Sequence, residues 1–347
     1  MNKAKRIFGL DLLRAVAIVF VLLDHGGYNP IPQVLLGGLG VELFFVLSGY
    51  LIGGILLRDF ENFNGVKTLK NFWIRRWFRT LPLYYFALGF QVFIAGNWKW
   101  EYLYYLLFLQ NNFYGISLFP VSWSLVIEEW FYLSLPLIFV LLFISRKKIV
   151  LQDLIGYGLF LILIKFIYIA FKELPFSGVN GNILLRADTM LIGVLVAFIK
   201  RYRKSIFYSL SKSFVIIISL IGILFHQWYF MIHTGCTALD QSTILKLLYF
   251  PTLSILAGLQ IPYLATSKFL NKKIASWPIF SNVIIWTSIL SYSFYLFHQN
   301  VFHFSRSTIF LKDYFALQLL LLTVISLLLY HLFEKPVTDL RDKFKWS

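Results

Sequence analysis

Apolar runs of about 20 residues recur along the chain between short polar stretches, and this pattern constrains the fold most strongly. A membrane-spanning helix needs about 20 mostly apolar residues. Ten segments qualify: about 7–24, 36–57, 80–96, 122–145, 149–171, 183–199, 213–231, 244–265, 281–303 and 314–333. Only 14% of the residues are charged, well below the roughly 25% typical of soluble domains. The sequence therefore predicts an all-α polytopic membrane protein and excludes an ordinary soluble domain.

Lys and Arg residues are distributed unevenly between the two predicted sides of the membrane. With ten spans and a cytoplasmic N-terminus, 24 of the 32 Lys and Arg residues fall in cytoplasmic segments and five fall outside. Membrane proteins concentrate positive charge in their cytoplasmic loops, so both termini are predicted to be cytoplasmic. The same rule accounts for the formal net charge of +16. We therefore predict membrane lipids, and no nucleic acid, as partners of these charges.

One apolar stretch, 101–118, is not counted as a span because its second half is polar. It is predicted to be an interfacial or re-entrant segment on the outer side. An eleventh span here would place the basic cluster at 146–148 outside. No internal repeat or linker divides the chain, so 1–347 is predicted to be a single membrane-embedded domain. The longest cytoplasmic loop is predicted at about 58–79.

Ionisable side chains inside predicted spans cost several kcal/mol of free energy unless they are paired or hydrated, so each is a candidate functional residue. At a rise of about 1.5 Å per residue, such side chains from five helices fall in one layer beneath the outer surface. They are Asp24, His25, Glu42, Glu128, Glu129, Arg186, Asp188 and His298. A common polar cavity is predicted in this layer. Arg14 lies near mid-membrane and shares one helix face with His25, eleven residues later.

Each candidate also has a structural interpretation. His25 is either an interfacial residue at a helix end or a catalytic base. Glu128 and Glu129 point about 100° apart on a helix, so one of them is expected to be structural or paired. Arg186 and Asp188 either line the cavity or neutralise each other. No Cys or His spacing resembles a metal site, and none is predicted.

The first long predicted cytoplasmic loop ends in FWIRRWFRTLPLYY. Arg75 and Arg79 are four residues apart and would share one face of a short surface helix, with Arg76 alongside. Guanidinium groups at this spacing suit phosphate. The alternative is contact with anionic lipid head groups. The loop alone does not decide between these two interpretations.

Several blocks of sequence, taken in order, resemble the acyltransferase 3 family of bacterial integral membrane enzymes. GLDLLRAVAIVFVLLDH contains Arg14 and His25, GGLGVELFFVLSGYLI follows, RRWFRTLPLYY is the third block, and SWSLVIEEWFYLSLPL contains Glu128. Weaker similarities lie in LLRADTMLIGVLVAF and ILSYSFYLFHQ. The chain ends about a dozen residues after its last predicted helix, so it is expected to be of the stand-alone type without an extra soluble domain.

The resemblance implies a multi-pass enzyme of the bacterial cytoplasmic (inner) membrane. It would move an acyl group, most often acetyl, from cytoplasmic acyl-CoA to a sugar hydroxyl of a cell-surface polysaccharide, O-antigen or related glycan, either free or lipid-linked. No permanently bound cofactor is implied. His25 would act as general base, with Glu128 or Asp24 orienting its ring. Direct transfer and a covalent acyl-histidine relay both remain open.

The other candidate residues divide between donor and acceptor. Arg14, Arg75, Arg76 and Arg79 would bind the acyl-CoA donor, and Glu42, Trp123, Arg186, Asp188 and His298 are candidate acceptor-binding residues. The alternative function is a polytopic transporter or flippase of lipid-linked sugars, which also needs many spans and buried charges. Such a protein is expected to have interrupted helices at corresponding positions in its two halves, and the sequence lacks that pattern.

Overall fold

The computed structural model describes residues 6–31, 34–113, 117–308 and 314–340, and the regular structure within them is helical. The helices are α1 Phe8–Gly26, α2 Leu36–Glu61, α3 Gly65–Ala95, α4 Leu103–Leu106, α5 Gln110–Phe113, α6 Ser122–Arg146, α7 Leu151–Lys172, α8 Phe176–Gly181, α9 Ile183–Tyr202, α10 Lys204–Leu210, α11 Ser213–Gln227, α12 Gly235–Gln241, α13 Thr243–Thr266, α14 Pro278–Arg306, α15 Phe315–Leu329 and α16 Lys335–Leu340. Wider π-helical turns follow α11 at Trp228–His233, follow α13 at Phe269–Lys273, and join α15 to α16 at Tyr330–Glu334.

The predicted spans agree with the observed helices, which confirms the all-α polytopic fold. Eight helical segments among the described residues are long and apolar enough to cross a membrane. The other two predicted spans correspond to α1 and α9, each of which carries at least three charged residues. Their position as spans, the total of ten and the cytoplasmic location of the termini stay predictions.

The segment 58–79, predicted to be a cytoplasmic loop, is helical over most of its length, while its cytoplasmic location stays a prediction. Residues 65–79 are helical and run without a break into the predicted third span, forming the single helix α3. A helix of 31 residues is about 46 Å long, which exceeds the roughly 30 Å of a bilayer core. Hydropathy marks only the apolar part of such a helix, so the sequence analysis began the span too late.

The segment 101–118 forms no long helix in its described part. It contains a 3₁₀ turn at Trp100–Tyr102 followed by α4 and α5, and residues 114–116 lie outside the described residues. Elements this short do not cross a bilayer. Its prediction as something other than a full span is therefore confirmed.

The chain divides into two compact units. The first comprises residues 1–57 and 149–289, and the second comprises residues 58–148 and 290–347. The prediction of a single membrane-embedded domain over 1–347 stays a prediction.

In the first unit, α13 packs against α7, α9 and α11, and α1 packs against α13. Helix α2 approaches α9 so closely that a methyl group at Gly193 would overlap with the backbone of Val46 and Tyr50. Small residues allow such close approach between helix backbones in membranes. This contact holds the polar side chains of α2 and α9 within reach of each other.

In the second unit, α3 packs against α6 and α16. The indole N–H of Trp73 donates to the carbonyl oxygen of Tyr132 at 3.1 Å. The hydroxyl of Tyr292 in α14 donates to the carbonyl oxygen of Thr80 at 2.8 Å. These contacts fix the rotation of α3, and with it the direction in which its arginines point.

Candidate functional site

Arg14 belongs to a polar cluster at the start of α1. Its Nη1 lies 3.3 Å from the hydroxyl of Ser288 and 3.8 Å from Oδ1 of Asp11. Ser288 donates to the same oxygen of Asp11 at 2.7 Å, and Arg6 donates to both oxygens of Asp11 at 2.7 and 3.0 Å. Asp11 therefore offsets part of the charge of Arg6 and Arg14, and the Ser288 hydroxyl orients the guanidinium group of Arg14.

His25 and Asp24 lie at the C-terminal end of α1, where Gly27 in the left-handed conformation terminates the helix. The imidazole of His25 is exposed. Asp24 accepts a hydrogen bond from the side-chain amide of Asn29 at 2.7 Å. Asn29 therefore orients Asp24, while the predicted catalytic roles of both residues stay predictions.

Glu42 and Arg186 form an ion pair between α2 and α9. Ser254 of α13 donates to Oε2 of Glu42 at 3.1 Å, and the guanidinium carbon of Arg186 lies 3.5 Å from the centroid of the Phe250 ring. Both charged side chains are almost completely buried: that of Arg186 is 0% exposed and that of Glu42 is 2% exposed. The sequence analysis therefore selected two residues that contact each other, and their predicted role in acceptor binding is untested.

Asp188 pairs with Lys165 of α7 rather than with Arg186. Its second carboxylate oxygen accepts a hydrogen bond from the backbone N–H of Thr189 at 3.0 Å. The interpretation of Arg186 and Asp188 as a pair that only neutralises itself is therefore wrong. Each of them makes its ion pair with a side chain from a different helix.

Glu128 lies in a cluster with Arg76 and Tyr132 in the second unit. Arg76 donates a hydrogen bond to the hydroxyl of Tyr132, and its guanidinium carbon lies 4.0 Å from the centroid of that ring. Tyr132 donates in turn to Oε2 of Glu128 at 2.8 Å, and Arg76 lies 3.6 Å from the same oxygen. The phenol thus bridges the cation and the carboxylate. Arg76 was predicted in a cytoplasmic loop and Glu128 beneath the outer surface, and their contact shows that these two placements are not both correct.

The three arginines of α3 that are predicted to bind the donor have three different surroundings. Arg76 points to Glu128 and Tyr132. Arg75 donates to Oδ2 of Asp59 at 2.7 Å and lines a cavity of about 370 Å³. Arg79 is exposed and interacts electrostatically with Glu334. The three side chains therefore have different partners, and their predicted role in donor binding stays a prediction.

His298 and Trp123 are the last two predicted residues. His298 is completely buried in α14, and its Nδ1 lies 2.8 Å from the carbonyl oxygen of Tyr295. The hydroxyls of Tyr295 and Ser124 are 2.5 Å apart, which links this part of α14 to the start of α6. The backbone carbonyl of Trp123 accepts a hydrogen bond from Asn111 at 2.9 Å. Their predicted acceptor contacts stay predictions.

Sequence analysis missed several partners of these residues. Asp11 precedes Arg14 by three residues and Tyr132 follows Glu128 by four, so helical spacing indicated both contacts. Lys165 and Ser254 reach their partners from other helices, and no spacing in the sequence signals such contacts. Among the described residues, no three His, Cys, Asp or Glu side chains form a group that would hold a metal ion.

The amino-acid sequence matches the model of a known family. The family described as "Acyltransferase domain" matches residues 7–333, which is nearly the whole chain. The chain belongs to this acyltransferase family. The resemblance inferred from its sequence blocks is therefore confirmed.

Bacterial relatives of this acyltransferase chain support the assignment. A Staphylococcus aureus (strain COL) protein whose name carries a provisional assignment as an O-acetyltransferase is 31% identical over 350 residues, covering 88% of the chain and 52% of the relative. The peptidoglycan O-acetyltransferase OatA of Listeria monocytogenes is 29% identical over 324 residues, covering 86% and 49%. The O-acetyltransferase OatA of Staphylococcus aureus (strain NCTC 8325) is 27% identical, covering 97% and 58%.

The acyltransferase chain spans about half the length of these curated relatives. Their names therefore describe longer proteins, and their activities apply to this chain only as proposals. No solved structure matches the chain.

Proposed function

We propose that the chain is a membrane O-acyltransferase that transfers an acetyl group from acyl-CoA to a sugar hydroxyl. The observation that carries this proposal is the family match over residues 7–333. The names of the relatives, which specify O-acetyl transfer, support the reaction type. Because these relatives are bacterial, we assign the protein to a bacterial cytoplasmic membrane, with its predicted basic face inward.

In the proposed reaction, His25 is the general base. Its imidazole removes the proton from the acceptor hydroxyl while the hydroxyl oxygen attacks the thioester carbonyl carbon. The carbon–sulfur bond then breaks, and the imidazolium returns its proton to the departing CoA thiolate. Histidine suits both steps because its ordinary pKa lies near neutral pH. Asp24, which Asn29 orients, is proposed to stabilise the positively charged imidazolium. Within the second unit, Glu128 is proposed as a further catalytic carboxylate, which Arg76 and Tyr132 hold in position.

We assign the phosphates of the donor to the cavity lined by Arg75. Arg58 and Lys67 also line it, so three cations surround about 370 Å³ of space. Asp59 contacts both arginines and offsets part of this charge. Guanidinium and ammonium groups are the usual protein partners of phosphate. Arg76 does not line this cavity and contacts Glu128 and Tyr132 instead, so its predicted role in donor binding stays a prediction.

The proposed acceptor is a glycan exposed on the outer side of the membrane. The Listeria relative is named for peptidoglycan, so a peptidoglycan fragment is the first acceptor to test. A surface polysaccharide such as O-antigen is the second. Both supply the sugar hydroxyl that the proposed chemistry needs.

Purified protein in detergent, radiolabelled acetyl-CoA and a peptidoglycan fragment test the proposal directly. We expect labelled acetyl ester on the glycan, and we expect His25→Ala to lower the rate by at least about 100-fold. His303→Ala is the matched control, because His303 is also an exposed histidine near the end of a helix.

Detergent removes the two compartments that a transporter or flippase requires, so transfer under these conditions identifies an enzyme. The proposal fails if neither a peptidoglycan fragment nor a surface polysaccharide is acetylated. Normal activity in His25→Ala would remove this histidine from the mechanism.

A further inference from the structure

A small aromatic cavity in the second unit contains a carboxyl oxygen without a partner. The cavity, of about 150 Å³, lies between α3, α6 and the turn after α4, and Glu129 forms part of its wall. Glu129 is 8% exposed, and its Oε2 accepts no hydrogen bond from the described residues. Leaving a buried polar atom unsatisfied costs free energy. This oxygen is therefore expected to meet a hydrogen-bond donor from a ligand.

Aromatic side chains form most of the remaining wall: Trp77 and Tyr85 of α3, Phe108, and Trp130 of α6. Phe108 has a φ of 55°, in the left-handed region that bulky residues rarely adopt. Trp130 fixes it by donating its indole N–H to the Phe108 carbonyl at 2.9 Å, and the Phe108 ring stacks on Tyr84 with centroids 4.5 Å apart. The aromatic wall is therefore formed before any ligand binds.

The cavity lies beside an apolar, exposed surface. Tyr85 is 39% exposed and Leu107 is 65% exposed at its edge. Exposed Leu137, Leu141 and Ile144 follow the cavity-lining residues of α6 at spacings of three or four, so they continue along one helix face. Exposed apolar side chains on a spanning helix contact lipid. A ligand therefore reaches this cavity from within the bilayer.

We propose that this cavity binds a sugar carried on a membrane lipid, and that Glu129 accepts a hydrogen bond from one of its hydroxyls. This inference rests on the proposed function, because the bound sugar would be the acyl acceptor. A pyranose ring places its apolar C–H groups against aromatic faces, while its hydroxyls supply donors for the carboxyl oxygen. Its hydrocarbon chain would lie along the apolar face of α6.

Other lipid parts fit these groups less well. An acyl chain of an ordinary phospholipid would contact the aromatic wall but leave Oε2 of Glu129 without a donor. Glu129 also interacts electrostatically with Arg76, but no cation lines the cavity itself, so a phosphate group would face a carboxyl group, which is another acceptor. The combination of aromatic planes and one unsatisfied acceptor favours the sugar.

Equilibrium binding of lipid to the protein in nanodiscs tests the inference without requiring acyl transfer. The probe is an N-acetylglucosaminyl disaccharide on polyisoprenyl diphosphate, compared with the same lipid without its sugar. We expect Glu129→Leu to weaken binding of the sugar-bearing lipid by about 10-fold or more. Glu101→Leu, which changes an exposed glutamate of the same unit, should leave binding unchanged. Equal binding of the two lipids by the wild-type protein overturns the inference, as does unchanged binding by Glu129→Leu.

Tyr85 provides a second pair of variants if Glu129→Leu fails to fold. Tyr85→Phe keeps the ring, whereas Tyr85→Ala removes it from a partly exposed site where folding is less affected. We expect Tyr85→Phe to bind the sugar-bearing lipid like the wild type, and Tyr85→Ala to bind it about 3- to 10-fold more weakly. Wild-type binding by Tyr85→Ala would contradict the inference.

Transfer assays separate this inference from the proposed function. Glu129→Leu should raise KM for the lipid-linked acceptor by the same factor as in binding, while KM for acyl-CoA stays unchanged. A wild-type protein that binds the sugar-bearing lipid through Glu129 but transfers no acetyl group refutes the proposed function and supports the binding site. If the wild-type protein transfers acetyl groups and Glu129→Leu has the same binding and the same KM as the wild type, the binding site is refuted. The proposed function would then still stand.

Discussion

The two units hold their buried charges in different ways. In the first unit, Arg186 and Glu42 are paired directly and almost fully enclosed, with 0% and 2% of their side chains exposed. In the second unit, Arg76 and Glu128 are 3.6 Å apart, each is 15% exposed, and the Tyr132 hydroxyl bridges them. An enclosed pair fastens helices together, whereas a bridged and partly exposed pair remains accessible to a reacting group.

This difference assigns separate tasks to the two clusters. Breaking a buried ion pair leaves one charge uncompensated in apolar surroundings, and that costs stability. A partly exposed carboxylate loses less stability when it is changed, and its contribution is then measured in the reaction. We therefore expect variants of the first cluster to lose folded protein, and variants of the second to lose activity.

Arg186→Ala should have the largest effect. It leaves Glu42 buried without its cation, which is expected to cost about 3–5 kcal/mol of unfolding free energy. The thermal unfolding midpoint in detergent and the folded yield measure this loss. The double variant Arg186→Ala, Glu42→Gln removes both charges and should recover part of it.

A stable but inactive Arg186→Ala protein would contradict the structural role that we assign to the Arg186–Glu42 pair. It would return Arg186 and Glu42 to the acceptor site, where the sequence analysis placed them. Arg201→Ala is the control, because it removes another arginine of α9 that lies near the end of the helix.

Glu128→Gln should have the next largest effect, and on activity instead of stability. Glutamine keeps the size of the side chain and an oxygen for the Tyr132 hydroxyl but loses the negative charge. We expect acetyl transfer to fall by about 100-fold, with the unfolding free energy changed by about 1 kcal/mol or less. Steady-state kinetics and thermal unfolding of the same preparation check both values, with Glu101→Gln as control. A matching loss of folded protein would show that Glu128 has a structural role like that of Glu42.

Sequence alone predicts the helices of this chain better than their contacts. Long apolar runs are a local property, so every predicted span has a corresponding helix. A short helix around Arg75 and Arg79 was predicted, but its start at Gly65 and its continuation into the third span were missed, because arginines and tryptophans lower the hydropathy without preventing helix formation. Helical spacing also suggested that Arg75 and Arg79 act together, but their long side chains reach different partners, Asp59 and Glu334.

Contacts between helices far apart in sequence were beyond prediction. Glu42 and Arg186 are separated by 144 positions, and their pairing depends on how α2 and α9 are rotated when they pack. The same holds for Lys165 and Asp188. Residue type indicated that these charges need partners, but only the packed helices identify which partners they have.

Tyr132→Phe should give the smallest of the three effects. It removes the hydroxyl that joins Arg76 to Glu128 but keeps the ring that the guanidinium group contacts. We expect about a 10-fold loss of acetyl transfer and a loss of about 1 kcal/mol of unfolding free energy, because one hydrogen-bonded group disappears. The same kinetic and unfolding measurements apply.

The double variant Glu128→Gln, Tyr132→Phe shows whether Tyr132 acts through Glu128. If the phenol serves only to position the carboxylate, the double variant should be no slower than Glu128→Gln alone, because the second change removes an interaction that the first has already disabled. Independent losses that multiply would show that Tyr132 contributes to the reaction by itself. Glu128 and Tyr132 would then act separately in the reaction. The only remaining difference between the Arg76–Glu128 pair and the Arg186–Glu42 pair would be the exposed fraction of their side chains.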